Sequence, residues 1–180
     1  MNIQGSWLPY TGCVMAIDPS GKGRDETAYC VTKFANGNIY LLDIGGFNAG
    51  YSEHTLSKLV DVAKKHKVNK ILIEQNFGQG MFEALLKPYL IKQYPCTTEM
   101  VHQQSNKHRR ILDTLEPIIS QHRLIVDKYV VKKDYEETNM LYPQETALRY
   151  QLFYQISRLQ KEVHSLAQDD RIDCLQVACN

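Results

Sequence analysis

Short apolar runs along the chain predict strands, and apolar residues at helical spacing predict helices that cover them. Five stretches have the composition of strands, at residues 13–17, 28–34, 39–45, 71–73 and 124–126, and 97–102 is a candidate for another. The first three are consecutive, and Asn36-Gly37 is a favoured pair for a tight turn between antiparallel strands. The chain is therefore expected to open with a three-stranded antiparallel meander.

Helical patterns alternate with the later strands. Apolar residues recur every three or four positions at 52–67, 81–91, 107–115, 148–166 and 169–178. The polar stretch from Lys132 to Thr146 lacks this periodicity and is expected to be a loop. The strand, helix, strand rhythm allows the strands at 13–17 and 71–73 to lie parallel and adjacent in one sheet.

Length and composition predict one ordinary domain. The chain has 180 residues with 43% hydrophobic residues, enough for a sizeable core, and we divide it into an irregular leading segment or linker remnant at 1–12 and a domain at 13–180. The net charge of +1 excludes a strong overall attraction to polyanions, so any nucleic-acid surface must be a local patch. Five cysteines without a C-x-x-C motif argue against a disulfide framework and a zinc knuckle. With no apolar run of membrane-spanning length and no signal-peptide pattern, the cytoplasm is the expected compartment.

Four acidic residues occur where a metal site could form. Asp18 and Glu74 directly follow the apolar runs at 13–17 and 71–73, while Asp170 and Asp173 share one face of the last predicted helix. Like charges this close raise each other's pKa unless a cation neutralises them. The aspartates also have plainer interpretations, because Asp caps helix starts and Asp-Pro forms turns. The occurrence of acids at the ends of two apolar runs and on one face of a helix, taken together, favours the metal site.

The type of ligand indicates the metal and its chemistry. Carboxylates with no His or Cys among them favour Mg²⁺ or Mn²⁺ over zinc. Two such ions about 3.5–4 Å apart can activate a water and stabilise the leaving oxygen in phosphodiester hydrolysis. A phosphate-binding loop for ATP is not present at Gly21-Lys22, because Ala16 and Gly23 occupy positions that require Gly and Ser or Thr. We therefore expect no ATPase activity in this chain.

Several motifs occur in the order and spacing of a known family. They are residues 16–21 (AIDPSG) with Gly23, Asp25 and Thr27, residues 73–78 (IEQNFG), residues 113–117 (DTLEP) and residues 169–173 (DDRID). Together they resemble the nuclease domain of tailed-bacteriophage terminase large subunits, most of all the DNA maturase of short-tailed phages. The resemblance implies an α/β fold of the ribonuclease H-like (resolvase/integrase) type, a mixed sheet of about five strands flanked by helices. It also implies endonucleolytic cutting of concatemeric double-stranded viral DNA during genome packaging.

The same resemblance implies roles for individual residues. Asp18, Glu74 and Asp170 match the catalytic acids that hold two Mg²⁺ or Mn²⁺ ions, and Asp173 matches the second acid of a resolvase-type D-x-x-D motif. Two further acids are auxiliary candidates, Asp25 and Asp169. Family members often have His before the paired Asp, but Gln168 stands there in this chain, so a histidine role is not transferred.

Partners are likewise expected from the resemblance. Large subunits of this family carry a packaging ATPase domain on the same polypeptide, so we expect this chain to be an excised domain that also lacks its natural C-terminal tail. The small terminase subunit, the portal and double-stranded DNA are the other expected partners, with no membrane partner. The implied location is the cytoplasm of the host cell.

Clusters of basic residues are the candidates for DNA contacts, namely Lys22, Arg24, Lys107, Arg109, Arg110, Lys132 and Lys133. Lys107, Arg109 and Arg110 begin a predicted helix, where backbone N–H groups also attract phosphate. A solvated surface is the plainer interpretation of each basic residue. Contacts to the DNA backbone carry no sequence information, so little sequence specificity is expected.

Two other functions use the same residues. A Holliday-junction-resolvase-like nuclease would apply the same acids to branched DNA. A non-catalytic module that docks DNA or a packaging partner would need the acids only for folding, and it predicts that Asp18→Asn leaves DNA behaviour unchanged.

Overall fold

One mixed sheet organises the domain in a computed structural model that describes residues 12–20, 26–75, 80–103, 106–159 and 166–180. Its strand order is β5-β4-β1-β2-β3-β6. The strands are β1 (Gly12–Asp18), β2 (Thr27–Ala35), β3 (Asn38–Phe47), β4 (Lys70–Glu74), β5 (Thr97–Val101) and β6 (Leu124–Val126). The described helices are α1 (Glu53–His66), α2 (Met81–Gln93), α3 (Lys107–Ser120), α4 (Lys128–Leu141), α5 (Gln144–Tyr150), α6 (Leu152–Arg158) and α7 (Asp170–Cys179).

The predicted meander is confirmed. Strand β2 pairs antiparallel with both β1 and β3, and the turn between β2 and β3 has positive φ angles at Asn36 and Gly37. Two adjacent residues with positive φ match the type I′ turn that suits the twist of a hairpin. Strands β4, β5 and β6 add in parallel, so the sheet has six strands where about five were expected.

Parallel pairing of β1 with β4 places two acids at one edge of the sheet. Ala16 is opposite Leu72 and Ile17 is opposite Ile73. The next residues, Asp18 and Glu74, therefore end neighbouring strands on the same side. This is the adjacency that the sequence predicted.

Helices cover both faces of the sheet. Helices α1 and α2 pack on one face, where the core includes Met15, Leu59 and Ile71. Helices α3, α4 and α7 pack on the other face, and α7 lies against β1 and β2 with residues 171–178 all buried. No helix within the described ranges is long and apolar enough to cross a membrane.

Two sequence expectations about the second half of the chain are wrong. The stretch expected to be a loop from Lys132 is largely helix α4, whose buried residues are Val130, Asp134 and Thr138. Because two of these three residues are polar, the apolar periodicity does not show the helix. The single helix expected over 148–166 is instead α5 and α6, separated by Gln151 in an extended conformation; residues 160–165 are outside the described part.

Candidate metal centre

Three acidic side chains converge where β1 and β4 end. Asp18 ends β1, Glu74 ends β4, and Asp173 lies in the first turn of α7. One carboxylate oxygen from each can be chosen such that all three lie within 4.8 Å of one another. All three residues are buried, and we call them the acidic triad.

Core packing of α7 holds Asp173 in the triad. Ile172 and Leu175 are completely buried on this helix, and the thiol of Cys174 donates to the carbonyl oxygen of Ala16 at 3.0 Å. Ala16 lies two residues before Asp18, so the contact joins α7 directly to the strand that carries another triad acid. Helical spacing then directs the Asp173 carboxylate toward the strand ends.

Among the described residues two cations contact the triad, and Lys107 on α3 is the first of them. Its Nζ lies 3.1 Å from Asp173 Oδ2, 2.9 Å from Asp169 Oδ1 and 3.9 Å from Asp18 Oδ2. Burial by itself lowers the pKa of Lys107, but the charges of Asp173, Asp18 and Asp169 outweigh it and raise the pKa above its usual value. Lys107 therefore remains charged among these acids.

Arg110 is the second cation and lies one turn further along α3. Its Nη2 is 3.0 Å from Asp173 Oδ1 and 3.3 Å from Glu74 Oε1. Its Nε is within 3.4 Å of Gln176 Oε1 on α7. These bonds tie α3 to α7 and place a second positive charge against the triad.

Even with these cations nearby, Glu74 and Asp18 have raised pKa values. Burial raises the pKa of Glu74 to about 7, and the negative charge of Asp173 contributes in the same direction. Burial also raises the pKa of Asp18, followed by the charge of Glu74. Additional positive charge at the triad would stabilise the ionised carboxylates.

The donor set fits a divalent cation. Glu74 Oε2 is buried and has no hydrogen-bond partner among the described residues. A buried carboxylate oxygen without a donor is costly, and a metal ion would satisfy it. The triad offers only carboxylate oxygens, which are the ligands that Mg²⁺ and Mn²⁺ prefer.

Next to the triad is a cavity of about 410 Å³. Asp18, Asp169 and Asp170 line one part of it, and Tyr51 and Phe82 line another. The cavity provides space beside the acids for a substrate group.

Comparison with known proteins identifies the domain. The family described as the bacteriophage T7 terminase, ribonuclease H-like domain, matches residues 17–124. The chain belongs to this family. The large terminase subunit of Enterobacteria phage T3 is 40% identical to this terminase domain over 168 residues, which are 93% of the chain and 28% of that protein. The chain thus spans less than a third of this relative.

Solved structures show the same fold at low sequence identity. The terminase nuclease domain of human cytomegalovirus, soaked with Mn and bound to an inhibitor, has a TM-score of 0.64 and 11% identity, covering 95% of this chain and 84% of that one. The nuclease domain of the large terminase subunit from bacterial virus Sf6, with manganese and beta-thujaplicinol, has a TM-score of 0.60 and 12% identity, covering 97% and 90%. The predicted ribonuclease H-like terminase fold is confirmed.

The terminase domain brings together most of the acids singled out in its sequence. Asp173, considered an assisting residue, lies with Asp18 and Glu74, whereas Asp170 lies outside this group on the wall of the adjoining cavity. Asp170 lines this cavity together with Asp18, and its charge contributes to raising the pKa of Asp18. Asp169 contacts the site through Lys107. The candidate Asp25 is outside the described residues.

The predicted DNA-contact residues have different surroundings. Lys107 and Arg110 contact the triad. Arg109 and Lys132 are exposed and pair with acids one turn away on their own helices. Lys133 instead bonds to Tyr29 and Asp43 within the protein, which favours a structural role. Lys22 and Arg24 lie outside the described part of the chain.

A buried arginine that the motifs did not point to lies beside the acids. Arg171 is 0% exposed, although it follows Asp170 directly in the chain. The signal was its position four residues before Leu175 and seven before Ala178, which places it on a buried face of α7. A charged residue at such a position requires acidic partners inside the protein.

Proposed function

We propose that residues 13–180 form a metal-dependent endonuclease domain that cleaves concatemeric double-stranded viral DNA during genome packaging. The acidic triad supports this function most directly, because buried carboxylates with an unsatisfied oxygen stand at the strand ends of a domain from a terminase family. The activity is hydrolysis of phosphodiester bonds, and no ATP hydrolysis is assigned to this chain.

Asp18, Glu74 and Asp173 would hold Mg²⁺ or Mn²⁺, and Asp170, which lines the same cavity as Asp18, would share a second ion. Such ions, when bound, supply Lewis-acid stabilisation of phosphate oxygens and an activated water. The protein's own part is to hold the carboxylates in a buried arrangement that excludes bulk solvent. Ionised triad carboxylates are needed for this role, and the raised pKa of Glu74 disfavours ionisation until positive charge is added.

Lys107 and Arg110 have a second role in this proposal. They neutralise the triad by binding carboxylate oxygens of Asp173 and Glu74, two of the acids that would hold a metal. When those oxygens are occupied, the ammonium and guanidinium groups become available to a substrate phosphate at the site. Arg109, Lys132, Lys22 and Arg24 are proposed to extend this contact along the DNA backbone, with little sequence specificity because phosphates are alike.

Assembly with other packaging components is proposed from the relative's identity as a terminase large subunit. The partners are a packaging ATPase domain on the same polypeptide, the small terminase subunit and the portal. These partners would act on the domain in the cytoplasm of the host cell.

Supercoiled-plasmid cleavage tests the proposal. The native chain is incubated with Mg²⁺, Mn²⁺ or EDTA and compared with Asp18→Asn and Asp173→Asn, and Asp113→Asn serves as the matched control because it removes an exposed carboxylate on α3. We expect nicked and linear products from the native chain and the control, in the presence of metal only. Inactivity of the native chain in Mn²⁺, or full activity of both triad variants, would contradict the proposal.

A further inference from the structure

Arg171 is the centre of a buried charge network behind the metal centre. Its Nε lies 2.6 Å from Glu26 Oε1 and its Nη2 lies 3.1 Å from Glu26 Oε2, so the pairing is bidentate. Its Nη1 donates to Asp134 Oδ1 at 2.8 Å, and Nη2 is also 3.4 Å from Glu137 Oε1. The guanidinium thus joins α7 to the residue before β2 and to two positions on α4.

The acids around Arg171 are held by further bonds. The Tyr142 hydroxyl donates to Glu26 Oε2 at 2.8 Å. The backbone amide of Phe153 donates to Asp134 Oδ2 at 3.3 Å, and the amide of Gly46 donates to Glu137 Oε1 at 2.7 Å. Each partner of the guanidinium is therefore fixed by a separate element of the fold.

Stability alone does not explain this network. Buried ion pairs contribute little compared with apolar side chains of similar volume, because removing charges from water offsets their attraction. What a bidentate guanidinium pairing does provide is a fixed distance and a fixed orientation. The network therefore has the properties of a positioning element.

The network also lies next to the metal centre in space and in sequence. Arg171 stands between Asp170 and Asp173, and Glu26 lines the same cavity as Asp18 and Asp170. The first turn of α7 has no side-chain cap from Asp169, although the amide of Ile172 donates to Gln155 Oε1 at 2.9 Å. Helix starts without a cap fray more easily, so this turn depends on its tertiary contacts.

We propose that Arg171, which is paired with Glu26 and Asp134, is a positioning residue. It fixes the orientation of the first turn of α7 and its position relative to the sheet. This in turn aligns Asp173 and Asp170 with Asp18 and Glu74. We call Arg171, Glu26 and Asp134 the Arg171 clamp. The inference rests on the proposed metal-dependent function of the same site, since its consequence is the geometry offered to the metal. Arg171 is completely buried, so its proposed effect on the metal centre is through the position of α7.

Conservative variants test the clamp. Glu26→Gln keeps the side-chain volume but removes the charge that Arg171 pairs with, and Arg171→Lys keeps the positive charge but loses the planar fork. Val177→Ala is the control, because Val177 is a buried residue in the last turn of α7, away from the clamp. Each protein is checked by circular dichroism and then titrated with Mn²⁺ by isothermal calorimetry, well below its melting temperature.

The expected result separates positioning from stability. Both clamp variants should weaken Mn²⁺ binding by about 10-fold, the lower end of the range for groups that orient metal ligands. Val177→Ala should lower the melting temperature and leave the Mn²⁺ dissociation constant unchanged. The Mn²⁺ concentration for half-maximal plasmid cleavage should shift in parallel with the dissociation constant.

Two results would overturn the inference, and they differ in what they say about the proposed function. If the native chain binds Mn²⁺ and cleaves DNA while Glu26→Gln and Arg171→Lys keep its dissociation constant, the clamp is structural only and the nuclease proposal stands. If the native chain neither binds Mn²⁺ nor cleaves DNA, the nuclease proposal and the clamp's role both fail.

Discussion

Replacing Gly46 with alanine should destabilise the domain through the Arg171 clamp. A Cβ atom on Gly46 would lie 2.0 Å from Glu26 Oε2 and 2.4 Å from Glu26 Cδ. Favourable contacts between heavy atoms occur at about 3.5–4.0 Å, so the carboxylate of Glu26 would have to move by more than an ångström. That carboxylate is bonded to Arg171 and to the hydroxyl of Tyr142, so the movement disrupts both contacts.

The magnitude follows from two contributions. Overpacking a well-filled site costs about 1–3 kcal/mol. Weakening a hydrogen bond between charged groups costs about 1.5–3 kcal/mol. We therefore expect Gly46→Ala to lower the free energy of unfolding by about 2.5–6 kcal/mol, a large part of the ~5–15 kcal/mol that stabilises an ordinary domain.

Urea unfolding measures this loss, with Gly12→Ala as the control. A Cβ atom on Gly12 meets no described atom within 4 Å, and Gly12 does not have a positive φ. Replacing a glycine with alanine also lowers the conformational entropy of the unfolded chain, which favours folding by about 0.4–1 kcal/mol. The Gly12→Ala control includes this effect. Equal unfolding midpoints for the two variants would refute the tight packing of Glu26 against β3.

The other predictions concern the metal centre. Mn²⁺ should raise the melting temperature of the native chain and of Asp113→Asn but not of Asp173→Asn. The reason is that a metal ion bound only by the folded state stabilises that state by mass action. Scanning calorimetry with and without Mn²⁺ checks this. Without metal, the free energy of unfolding should fall as the pH rises from about 4.5 to about 7, since the raised pKa of Glu74 keeps a proton bound in the folded state that the unfolded chain has released. Urea titrations across this pH range should show a smaller slope for Glu74→Gln, and an unchanged slope would contradict the assignment. Lys107→Met should tighten Mn²⁺ binding in calorimetric titrations by removing a competing cation, whereas Lys132→Met, which alters an exposed pair, should not.

The sequence by itself determined the strands and the edge where the acids meet. Continuous apolar runs end at Asp18 and Glu74 because both strands are buried on their two faces and the chain turns at the sheet edge. Parallel pairing of such strands is a consequence of the helix between them. The motifs around these acids were also sufficient to indicate the terminase family.

Tertiary structure decided which charges meet. Helix α4 was missed because its buried face contains Asp134 and Thr138, which apolar periodicity does not count. Lys107 and Arg110 were assigned to DNA, and only the packing of α3 beside α7 shows that they contact the triad. The partners of Arg171 are likewise distant in sequence, Glu26 by 145 residues and Asp134 by 37. Periodicity reports whether a position faces an apolar core, but pairing of charges depends on distances between elements, which exist only once the chain has folded.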